Sequence, residues 1–137
     1  MAIVRSGAPR VRLSAADYER LSRLARSAER AAPDLADALG KELERAQVLK
    51  PGRYPVDVVC MGSEVVYRDE TTGKSQTVTM AYPDAADKAS GRISILTPIG
   101  TALIGLSVGA AMNWETRSGE MKRLTVLGVR EPHPTYA

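Results

Sequence analysis

Asp34 and Asp37 open the apolar-periodic run "DLADALGKELERAQV". Their spacing puts both carboxylates on one edge of the first turn of a helix. Two exposed carboxylates so arranged can hold a Mg²⁺ ion that keeps most of its waters. The same placement has a simpler use, because acidic groups in a first turn cap free backbone N–H groups and favour the positive end of the helix dipole. Beyond this pair the chemical inventory is thin. His133 is the only histidine and sits between two prolines near the end of the chain. Cys60 is the only cysteine and lies in the apolar "VDVVCM", where a buried, inert thiol is expected. One His and one Cys do not compose the usual zinc site, and a serine triad lacks a histidine on a rigid element. No glycine-rich phosphate-binding pattern occurs. No catalytic residue, metal ligand or cofactor is therefore assigned.

Arg5, Arg10, Arg12, Arg20, Arg23, Arg26 and Arg30 crowd the first thirty residues against Asp17, Glu19 and Glu29. A solvated helix face with a loose tail is one account of them; a face turned toward an acidic partner is another. The formal net charge of +3 is too mild to demand nucleic acid. An apolar content of 44% and a charged content of 26% are those of a soluble globular protein. With one cysteine and no apolar leader in "MAIVRSGAPR", the cytoplasm is the expected compartment. The uncharged run "ISILTPIGTALIGLSVGAAMNW", Ile93 to Trp114, has the length of a membrane span. Pro98, Gly100, Gly105 and Gly109 argue against one, since a spanning helix must satisfy its own backbone. The run reads instead as strand, short helix, turn and strand.

Two textures meet at "LKPGRYP", residues 49 to 55. Before it Ala, Leu, Arg and Glu predominate, all strong helix formers. "RLSAADY" predicts a helix start, with Ser14 and Asp17 as a capping box and Leu13 and Tyr18 as a hydrophobic staple. That helix is expected from Ser14 to about Ala31, and a second from Asp34 to about Val48. So short a link predicts an antiparallel helical hairpin, a short coiled coil with Arg and Glu outward. After residue 55 come "VDVVCM", "EVVYRD", "KSQTVTMAY", "RISIL", "AMNWET" and "KRLTVLGVRE" as candidate strands, with turns around Gly73 and Gly119. The expected fold class is α+β: residues 1–50 form a tail and helical hairpin, and residues 54–137 a mostly antiparallel sheet with one short helix.

A helical hairpin followed by a β-rich domain with this uncharged run resembles the Gre family of bacterial transcript-cleavage factors. Ile93, Ser94, Pro98, Ile99, Gly100, Ala102, Leu103, Gly105, Val108 and Gly109 fall in register with the family hallmark, Thr97 standing for a serine. The stretch from Asp34 to Asp69 is similar to the subgroup called regulator of nucleoside diphosphate kinase, which has a truncated coiled coil. The resemblance implies an FKBP-like sheet domain that docks on the rim of the RNA polymerase secondary channel. It also implies a hairpin tip, here Asp34 and Asp37, which in cleavage factors helps the polymerase bind a second Mg²⁺. The resemblance centres that docking on Thr97 and Pro98, with Leu96 where some members carry an acidic residue. A helix of about eighteen residues spans roughly 27 Å, whereas the family's cleavage factors have hairpins several turns longer.

The expectation is thus a non-catalytic, monomeric polymerase-binding regulator that competes with cleavage factors. One alternative is a cleavage factor that uses Asp34 and Asp37. Another is a nucleic-acid-binding module built on the basic first helix. A prolyl isomerase would need an aromatic-lined pocket, and a chain with no Phe, one Trp and five Tyr is poorly supplied for one.

Overall fold

Val11 and Leu13 alternate with Arg12 in a short strand, β1 (Val11–Leu13), and both apolar side chains are fully buried. The computed structural model describes residues 10–130, so the expectations placed on Arg5 and His133 lie outside it. Ser14 ends the strand and caps α1 (Ala15–Ser27), its hydroxyl accepting from the Asp17 N–H at 3.1 Å. The reciprocal half of the expected capping box is diverted. Asp17 Oδ2 accepts from the Met61 N–H at 3.2 Å, which ties the helix to a turn far along the chain.

The first helix is shorter than the expected run to Ala31. It closes at the Ala28 cap, and the following turn delivers Pro33 to the first position of α2 (Pro33–Glu44), where the fixed φ of proline suits a helix and its missing N–H costs nothing. The second helix also stops early. Ala46–Val48 leaves it as β2 and pairs in parallel with β1, from Val11↔Ala46 to Leu13↔Val48. Leu49 N–H extends the pairing by donating to Leu13 O at 2.9 Å. Not every charge faces outward either: Glu42 is buried, with Arg45 Nε 3.0 Å from its Oε1.

The alternating runs form β3 (Glu64–Asp69), β4 (Ser75–Ala81), β5 (Arg92–Ser94), β6 (Ala111–Glu115) and β7 (Met121–Arg130), ordered β5-β4-β3-β7-β6. All neighbours are antiparallel except β4 and β5, joined by a loop with single 3₁₀ turns at Pro83–Ala85 and Lys88–Ser90. Gly73 and Gly119 take positive φ in their turns, as the hairpin reading requires. "VDVVCM" is not a strand. Asp57 adopts φ +56° and only Val58 makes a bridge, to Ser107. Val58, Val59 and Cys60 are nevertheless buried in succession. Val59 holds the segment in place, its N–H donating to Leu106 O and its carbonyl accepting from Gly105 N–H, both at 2.8 Å.

The uncharged run divides as expected into β5, α3 (Pro98–Leu103), a turn and β6. Among the described residues no helix is long and apolar enough to cross a membrane. Leu21, Leu39 and Leu43 of the hairpin share one apolar cluster with Val65, Leu103 and Leu124 of the sheet and α3.

Candidate partner-binding surface

The corner between β5 and α3 is built by short polar contacts. Thr97 Oγ1 donates to Ser94 O at 2.7 Å and accepts from the Gly100 N–H at 3.0 Å, so one hydroxyl closes the strand and caps the helix. Leu96 N–H donates to Ser94 Oγ at 3.0 Å, and Thr101 Oγ1 donates to Ile95 O at 2.9 Å. Pro98 follows at the first helical position, where its φ is already set. Leu96 packs against the core, while Thr97 and Pro98 remain partly exposed. The corner is a partly exposed turn whose backbone is fixed by these contacts.

The two aspartates behave differently from a pair. With α2 beginning at Pro33, Asp34 lies in the first turn, but Asp37 falls in the second and pairs with Lys41 at 3.2 Å. Its N-cap is Ala32, and no side chain among the described residues caps this helix. Asp34 lines a groove of about 420 Å³ between the hairpin tip, α3 and β6, and Asp37 lines a different one between α1 and α2. No cluster of three His, Cys, Asp or Glu able to hold a metal occurs among the described residues.

The groove joins features far apart in sequence. Leu35 and Ala38 of α2, Pro98 and Ala102 of α3, and Met112 and Trp114 of β6 all line it. Asp34 and Pro98, one from each candidate group, therefore share a single concavity. Sequence reasoning did not find this surface. Its one available signal was Trp114, the sole tryptophan, at the far end of the uncharged run.

The basic helix is partly committed within the chain. The Arg20 guanidinium lies 3.9 Å from the centroid of the Tyr82 ring, and Arg23 pairs with Glu19 at 3.0 Å. Burial raises the Asp17 carboxyl above its usual range, opposed by the Met61 N–H and the charge of Arg20. Tyr82 is pushed up to about 12 by burial and then by the Asp17 charge, against Arg20 and Arg23. Its hydroxyl is buried without a hydrogen-bond partner among the described residues, which disfavours the phenolate.

Comparison with known proteins agrees with this architecture. Residues 54–131 match the family model "Transcription elongation factor, GreA/GreB, C-term", and residues 9–49 match the model of the Rnk N-terminus. The chain is 36% identical over 119 residues to the regulator of nucleoside diphosphate kinase of Escherichia coli K12, covering 87% of this chain and 88% of that protein. It is 39% identical over 88 residues to the transcription elongation factor GreA of Chloroflexus aggregans, covering 64% of this chain but only 55% of that one. Among solved structures, the GreA/GreB elongation factor of Nitrosomonas europaea superposes with a TM-score of 0.70 at 35% identity, covering 90% of this chain and 99% of the other. The chain belongs to the GreA/GreB family of transcription elongation factors, in its regulator of nucleoside diphosphate kinase branch.

Proposed function

We propose that this chain is a transcription regulator that binds RNA polymerase through Leu96, Thr97 and Pro98 at the secondary-channel rim, competes there with cleavage factors, and does not itself promote transcript cleavage. The observation that carries this reading is the shared groove of Asp34 and Pro98. A factor held at the rim by its Pro98 corner must carry its acidic tip far from that corner to reach the catalytic metal. Here tip and corner are neighbours. The reach is short as well, since the thirteen residues of α1 span about 20 Å. Asp37 is moreover engaged by Lys41 and lines a different groove from Asp34. Reading the basic first helix as a nucleic-acid site has less support, because Arg20 and Arg23 already serve intramolecular contacts.

The test uses purified core polymerase and stalled, backtracked complexes. The chain should bind, displace a cleavage factor and leave the RNA uncut, and Pro98→Ala should weaken binding about 5- to 10-fold if the corner is an anchor. Cleavage stimulated by the chain, and lost in the Asp34→Ala, Asp37→Ala double variant, would overturn the non-catalytic reading.

A further inference from the structure

Asp34, Glu115 and Arg117 are the charged residues lining the groove that Pro98 also lines. None of the three has an ion-pair partner among the described residues, a state shared by the exposed Glu29 and Glu44 of the hairpin, whereas Glu19 and Asp37 are paired. Between them the groove wall is largely apolar. Trp114, the only tryptophan of the chain, is left partly exposed there, beside Leu35, Ala38 and Met112.

We infer that this groove is a second part of the polymerase contact and takes an apolar side chain carried on a basic segment of that partner. The inference rests on the docking proposed above and extends it from the corner to the hairpin. Three features carry it. The groove is continuous with the corner through Pro98, so a partner seated on the corner lies beside its mouth. Its concavity is formed by three elements locked into one core, so its shape exists before binding and little ordering is required. Its border holds two unpaired carboxylates against one unpaired guanidinium, an excess of negative charge. The partial positive charge at the start of α2 softens Asp34 but does not extend to Glu115, which belongs to β6. A lysine or arginine flanking an apolar anchor answers both the wall and the border, because a desolvated aromatic pocket supplies affinity and complementary rim charge supplies orientation and on-rate. Asp34 then acts as a contact for a cation on the partner protein.

The experiment measures affinity for purified core RNA polymerase at two salt concentrations, using the full chain. Asp34→Lys, Glu115→Lys and Leu35→Ser are compared with Pro98→Ala and with Glu44→Lys, an equal charge reversal on α2 outside this groove. Circular dichroism and thermal midpoints establish that each variant is folded. The three groove variants should each weaken binding about fivefold or more, as expected for interface anchors and paired rim charges. The two lysine variants should also lose part of the salt dependence, with Glu44→Lys within about twofold of the unaltered chain. Groove variants that bind like the unaltered chain, while Pro98→Ala weakens, overturn the groove inference and leave corner docking standing. Equal weakening by Glu44→Lys reduces the effect to overall charge and likewise overturns it. No binding by the unaltered chain overturns the docking reading, and the groove falls with it.

Discussion

Gly100 has no room for a side chain. A Cβ there would lie 2.4 Å from Ser94 O and 3.0 Å from both Ile95 Cα and Thr97 Oγ1. The first turn of α3 therefore rests directly on the backbone at the end of β5, and this approach lets one threonine hydroxyl serve both. Gly100→Ala should destabilise the fold by about 1–3 kcal/mol, the usual range for overpacking. The measurement is the urea midpoint, and an unchanged value would mean that the β5–α3 corner can shift freely. Much of this corner was legible in the sequence, because Thr-Pro at a helix start acts through contacts within three residues. The aspartates were less so. Whether Asp37 belongs to the first or second turn depends on where α2 begins, and Pro33 sets that start one residue earlier than the apolar pattern suggests.

Among the elements, strands β3 to β7 were readable because each carries its own period-two pattern bounded by turn residues. The failures have a common physical cause, which is pairing decided at long range. β1 and β2 are three-residue strands that pair with one another across the hairpin, and the Arg12 N–H of β1 donates to Gly105 O, beyond α3, at 3.1 Å. "VDVVCM" is apolar on either side of Asp57, whose left-handed backbone interrupts it. The seat of α1 is similar, since Asp17 meets Met61 and Arg20 meets Tyr82 only in the folded chain. This seat has a consequence at alkaline pH. Tyr82 moves from its ordinary value of 10.0 to about 12 on folding, so the folded state holds its proton more tightly than the unfolded chain. Its contribution to stability is complete below pH 10 and is lost as pH rises toward 12. Urea unfolding at pH 9 and pH 11 should show a smaller alkaline loss for Tyr82→Phe than for the unaltered chain. Equal losses would mean that the phenol is not held in its neutral form by this seat.

At the scale of the whole molecule, the two textures share one core. The composition changes at residues 49–55, and the two family models fall on either side, at residues 9–49 and 54–131. Yet Val11, Leu13, Leu21, Leu39 and Leu43 pack into the same cluster as Val65, Met80, Leu103 and Val126. A composition shift registers which secondary structure each half prefers, not whether their apolar faces meet. Because they do meet, hairpin and sheet should unfold together. Helical circular dichroism reports mainly on α1 and α2, while the fluorescence of the single tryptophan, Trp114, reports on β6. The two signals should trace one coincident urea transition. Leu21→Ala, a fully buried deletion in α1, should move both curves together by about 2–5 kcal/mol. Loss of the helical signal at a lower urea concentration than the tryptophan signal would make the hairpin a separate unit. It would also remove the fixed placement of Asp34 beside Pro98 on which both the short-reach argument and the shared groove depend.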